Sequence, residues 1–145
     1  MTDAARPEPP FSALELDTFA RTIWAEARGE GVAGMRAVAA VIVNRARRPR
    51  WWGKSVRECC LKPAQFSCWN PSDPNYRRLM AVTSADPQFA LALGIAELAL
   101  RGNLPDPTNG SDSYANLALA QPAWATKDRF RVKIGNHSFF QVERA

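Results

Sequence analysis

This chain of 145 residues has little of the side chains most used for metal ligation and nucleophilic attack: it holds one histidine, three cysteines and two tyrosines. The cysteines, Cys59, Cys60 and Cys68, are odd in number, and the adjacent pair is a poor disulfide candidate. They read as reduced thiols. With His137 far away and no C-x-x-C spacing, the ligand pattern of a zinc site is missing, and neither metal nor cofactor is expected. No apolar run reaches the roughly 18 residues that a bilayer span needs, so stable membrane insertion is not expected. The first residues are polar and carry Pro7, Pro9 and Pro10. They lack the charged start and apolar centre of a secretory signal, so synthesis in the cytoplasm and export by another route are expected.

What the sequence does have is apolar mass and positive charge. A hydrophobic fraction of 46% and five tryptophans can fill one compact core. The formal net charge of +5 favours polyanions such as nucleic acid, anionic membrane or the acidic bacterial wall. Charge alone does not choose among them.

Residues 1–11 read as a loose, proline-rich leader and residues 12–145 as the functional domain. Ser12 is placed to cap a first helix from Ala13 to Glu30. A second helix is expected from Gly31 to Arg47, apolar all round over Ala37–Val43 and therefore central, with Arg45, Arg47 and Arg48 suiting its C-terminal end. Pro49 ends it. Ser55-Val56-Arg57-Glu58 has the capping-box pattern of a short third helix. Tyr76 to Thr83 fits another short helix. Asp86-Pro87 opens a long one that stops at Gly102. Asn103 to Lys127 reads as one long loop, suspect of function for its length. Phe130–Ile134 and His137–Phe140 flank Gly135-Asn136 as a hairpin. The fold class expected is mainly α with a small C-terminal β-hairpin.

On the first helix, Glu26 and Glu30 fall within roughly 20° of Phe19, on the apolar stripe. A carboxylate there costs free energy unless something offsets it, and partial desolvation raises its pKa. A carboxyl kept protonated near neutral pH is what a glycosidase needs to protonate a leaving oxygen. Pairing with one of the many arginines would satisfy the same position without chemistry. Side chains at i and i+4 point the same way, with Cβ atoms roughly 5–6 Å apart. Paired glycosidase carboxylates must instead flank the scissile bond. One carboxyl acting alone, as acid and then as base, fits the spacing better, with Glu30 orienting it or holding a neighbouring donor.

The segment Ile23-Trp24-Ala25-Glu26-Ala27-Arg28-Gly29-Glu30 and the later Val38-Ala39-Ala40-Val41-Ile42-Val43-Asn44-Arg45 resemble the cell wall hydrolase family typified by spore cortex-lytic enzymes. The resemblance continues through Gln65-Phe66-Ser67-Cys68-Trp69, Pro107-Thr108-Asn109-Gly110 with Tyr114, Pro122-Ala123-Trp124-Ala125 and Ile134-Gly135-Asn136-His137-Ser138-Phe139-Phe140. It implies a lysozyme-like helical fold and cleavage of the β-1,4 bond between N-acetylmuramic acid and N-acetylglucosamine. It also implies a lytic transglycosylase outcome with 1,6-anhydro ends, Glu26 as the catalytic carboxyl and Glu30 as the motif's second glutamate. Peptidoglycan strands, not nucleic acid, would then be the partner of a monomer. Many relatives carry histidine beside the loop tyrosine, where this chain reads Asp112-Ser113-Tyr114-Ala115-Asn116. Without the signal peptide and wall-binding repeats of cortex enzymes, the chain looks more like a phage or prophage endolysin released through a holin, or a lysis protein of a phage-like particle.

Further candidates come with plainer readings beside them. Gln65, Ser67 and Trp69 suit a sugar cleft, or form a structural loop with Phe66 and Trp69 in the core. Tyr114 is the second choice for a catalytic group, hydrogen bonding near the scissile linkage, or else a packed loop tyrosine. Asn116 and Trp124 are further substrate-binding candidates. His137 serves substrate or the hairpin turn. Trp51-Trp52 with Arg47, Arg48, Arg50 and Lys54 mixes bases and aromatics as single-strand binders do, but fits an anionic wall or lipid contact better. Three functions compete: lytic transglycosylase, hydrolysing muramidase, and a non-catalytic wall- or nucleic-acid-binding module.

Overall fold

The computed structural model describes residues 8–48, 52–63 and 65–143. Five α-helices precede a small sheet: α1 Ala13–Ala27, α2 Gly31–Ala46, α3 Val56–Leu61, α4 Pro74–Ala81 and α5 Pro87–Leu100, then β1 Ser113–Ala115, β2 Phe130–Ile134 and β3 His137–Phe140. Short 3-10 turns cover Arg28–Glu30 and Ser67–Trp69. The expected leader lies outside the described residues over 1–7, as do Pro49, Arg50 and Trp51.

The helix starts follow local chemistry. Ser12 Oγ accepts the Glu15 N–H at 3.0 Å, and Ser55 Oγ accepts the Glu58 N–H at 3.1 Å. Asp86 Oδ1 takes the N–H groups of Gln88 and Phe89 at 2.8 and 3.0 Å. Each satisfies a donor that the first helical turn leaves open. α1 packs against the other helices, placing Phe19, Ile23 and Ala27 in a core with Val38 and Ile42 of α2 and Phe89, Ala92 and Ile95 of α5. Removing Phe19 or Ile23 from water contributes roughly 1.5–3 kcal/mol each.

α2 is buried on two sides, as its apolar composition predicts. Val38 and Ile42 face the helices, while Ala37 and Val41 meet Phe139 of the sheet, with Tyr114, Val132 and Ile134 around them. The sheet order is β1-β3-β2, antiparallel throughout, with Tyr114 opposite Phe139 and Ile134 opposite His137.

Three expectations need correction. The first α-helix ends at Ala27, and Glu30 sits in the 3-10 turn that follows, because Gly31 with φ 74° redirects the chain into α2. The hairpin gains a third strand, β1, from inside the stretch read as loop. Trp52 is only 3% exposed and joins the helical core, so it offers no surface to a wall or lipid. Arg45 does stand in the last turn of α2, as expected, and is buried there.

Candidate active site

Glu26 stands in the last turn of α1, partly exposed. Burial pushes its carboxyl above the usual range; the Tyr114 hydroxyl, the Cys68 thiol and the charges of His137 and Arg45 oppose that rise. The Tyr114 hydroxyl donates a hydrogen bond to Glu26 Oε1. Burial and the neighbouring Glu26 push the phenol of Tyr114 well up, so it remains a donor.

Tyr114 reaches Glu26 because α2 holds the segment leading to it. Asn44 Nδ2 donates to Asp106 Oδ2 at 3.0 Å and to the Ser111 carbonyl at 2.9 Å. Arg45 Nε donates to the Asp112 carbonyl at 2.7 Å. Asp106 also gathers the Thr108 N–H at 2.7 Å, the Thr108 hydroxyl at 2.6 Å and the Gly110 N–H at 2.9 Å. Burial pushes the Asp106 carboxyl up, but these donors together hold it below the usual range. The Asp112 carboxylate, sealed from solvent, accepts the N–H groups of Val142 and Glu143 at 2.9 Å each. β1 is thereby fixed between α2 and β3.

The two glutamates of the motif face different partners. Glu30 accepts the backbone N–H of Asn136 at 3.0 Å and its side-chain amide at 3.2 Å, and these bonds hold its carboxyl below the usual range. His137 Nδ1 is 3.7 Å from Glu30 Oε1, and the His137 ring meets Tyr114 edge-on at 5.1 Å and 77°. Gly135, at φ 60°, has the Glu30 carboxylate where a Cβ would stand, 2.7 Å from Oε1. Glu30 forms a clasp: it holds the β2–β3 turn, and the turn brings His137 to Tyr114.

A family model described as cell wall hydrolase matches residues 29–140, most of the chain. The chain belongs to the cell wall hydrolase family. Glu26 lies just ahead of the matched stretch; two solved structures cover more of the chain. The catalytic domain of the germination-specific lytic transglycosylase SleB from Bacillus anthracis is 27% identical, with 94% of this chain and 100% of that one covered and a TM-score of 0.66. The catalytic domain of Bacillus cereus SleB is 25% identical, with 90% and 92% covered and a TM-score of 0.69. No curated protein sequence matches this cell wall hydrolase significantly.

In the hydrolase, Glu26, Tyr114 and His137 come together, with Glu30 behind His137. Tyr114 also walls a cleft of about 800 Å³, together with Gln65, Trp124 and Arg45. Trp124 stacks edge-on against Phe140 at 5.4 Å. Ser67 and Trp69 line a separate cleft of about 670 Å³. Trp69 anchors there by donating its Nε1–H to Thr22 Oγ1 at 2.9 Å. Asn116 turns back on its own loop, accepting the Ala118 N–H at 3.0 Å.

Sequence reasoning about single site residues missed Cys68, Asn44, Arg45 and Asp112. The signal available for Asn44-Arg45 was two polar side chains ending an apolar helix. For Cys68 it was a buried-type residue between two cleft candidates. All three cysteines are buried free thiols, and burial pushes Cys59 up to about 11 and Cys60 up to about 12.

Proposed function

We propose that this cell wall hydrolase cleaves the β-1,4 bond between N-acetylmuramic acid and N-acetylglucosamine of peptidoglycan as a lytic transglycosylase, with Glu26 as the one acid and base. The observation that carries it is the setting of Glu26. Its carboxyl is raised by burial, and the groups acting on it are a hydroxyl, a thiol, an imidazole and a guanidinium, with no carboxylate among them. Among the described residues this general acid thus has no carboxylate acting on it that could serve as nucleophile. The similar Bacillus anthracis domain is a lytic transglycosylase by name, which supports the same outcome here.

Protonated Glu26 gives its proton to the glycosidic oxygen as the bond to C1 of the muramoyl residue breaks. The carboxylate so formed accepts the proton of that residue's own 6-hydroxyl as its oxygen bonds to C1. The products are a free 4-hydroxyl and a 1,6-anhydro end, Glu26 is protonated again, and no water is consumed. Tyr114 donates to Glu26 and stabilises the carboxylate stage. Glu30 acts through the turn it holds.

Digestion of purified sacculi by wild type and Glu26→Gln, with mass spectrometry of the fragments, tests this. Anhydro-muropeptides from wild type alone are expected. Reducing ends would assign water as the nucleophile and make the enzyme a muramidase. Equal release by both proteins would remove Glu26 from the chemistry and favour a binding module. A phage-type lytic setting belongs to the same proposal. Expression in a bacterial cytoplasm with and without a holin tests it, lysis being expected only with the holin.

A further inference from the structure

Arg45 is only 8% exposed, lying against the rings of Phe66 at 5.2 Å and Trp52 at 5.3 Å. Its Nε donates to the Asp112 carbonyl at 2.7 Å and its Nη1 to Gln65 Oε1 at 3.5 Å. Both acceptors are neutral. Among the described residues no carboxylate forms an ion pair with Arg45. Its Nη2 makes no hydrogen bond with the described residues, yet it is not one of their sealed polar atoms. The Asp112 and Glu26 carboxylates act on it only through space, and a buried guanidinium with no carboxylate in direct contact is costly. This one borders the cleft of about 800 Å³ that Tyr114, Gln65, Trp124 and Glu143 also line.

We propose that Arg45, with Gln65 beside it, forms an anion subsite that takes a carboxylate of the substrate next to the Glu26–Tyr114 pair. The inference rests on the peptidoglycan reading above. A muramoyl residue carries a lactyl ether whose carboxyl is either free or joined to a stem peptide with carboxylates of its own. Both sources present the planar anion that a guanidinium fork matches. The aromatic rings around Arg45 exclude water and strengthen the contact relative to one at the surface. Trp124 supplies an apolar face on which a pyranose can rest. Seating the carboxylate here selects a muramoyl residue, not a glucosaminyl one, for this side of Glu26.

The test uses the full chain and three substrates: strands with stem peptides, peptide-free strands with the lactyl carboxylate exposed, and the same strands with that carboxyl converted to a methyl amide. KM is expected to rise roughly tenfold on losing the recognised carboxylate, the size of one charge-assisted hydrogen bond. A rise only from the second substrate to the third assigns the lactyl carboxylate; a rise on removing the peptide assigns the stem. Arg45→Lys is expected to shrink the difference while keeping the anhydro product. Equal KM on all three substrates overturns the subsite. These comparisons need only the wild type, so a poorly folding variant does not leave the matter open. Failure of the underlying reading shows separately, as unchanged release by Glu26→Gln.

Discussion

Burial raises the Glu26 carboxyl while its hydrogen-bond donors pull it down, and the balance has measurable consequences. The fold favours the protonated form. The stability this group contributes is therefore fully present below the unfolded value of 4.5 and is lost as pH rises through the raised folded value. Glu26→Gln, neutral at every pH, is expected to raise the melting temperature near neutral pH and to change it little at about pH 4, as calorimetry at the two values checks. The same substitution is expected to cut turnover roughly 10²–10⁴-fold. Activity should fall on the alkaline side as Glu26 loses its proton. Tyr114→Phe removes a donor that lowers the Glu26 pKa, so the alkaline limb of kcat/KM should move up by about one pH unit or less. A limb that moves down would contradict the assignment of Tyr114 as donor to this carboxyl.

Elements carry these residues, and two junctions matter most. Where α1 passes into α2, Glu30 clasps the β2–β3 turn. Glu30→Ala should lower kcat with KM nearly unchanged. Glu30→Gln, which can still accept the Asn136 N–H, should restore most of the loss, and steady-state kinetics of the pair decides it. Where α2 meets the loop before β1, Asn44→Ala leaves Asp106 and the buried Ser111 carbonyl short of a donor, at a cost of about 1–3 kcal/mol in urea unfolding. The helices were legible because their signals are local: Ser12, Ser55 and Asp86 each cap a donor two or three residues on. Glu30 was misplaced because the helical periodicity runs on past Ala27, where the folded chain tightens into a 3-10 turn ahead of Gly31. β1 was missed because three residues have no period of their own, and their partner strand lies more than twenty residues away in sequence. Glu26 was legible as a carboxyl on an apolar stripe. Tyr114 was a candidate, but its contact with Glu26 spans 88 residues and no local rule encodes it.

At the scale of the whole molecule, the net charge of +5 is a long-range attraction for an acidic wall. Between about 0.05 and 0.5 M salt the Debye length shrinks severalfold, so KM on sacculi should rise while kcat stays near its low-salt value. A kcat that falls in step would place the salt effect inside the site instead. The exposed turn at Arg101–Asn103, where Gly102 turns left-handed at φ 77°, divides the chain into a helical part bearing Glu26 and a later part bearing Tyr114. Severed there, the acid and its hydroxyl donor would belong to two separate polypeptides. Two fused partner proteins that bring those fragments together would then be read out as wall cleavage, making the enzyme a candidate split reporter.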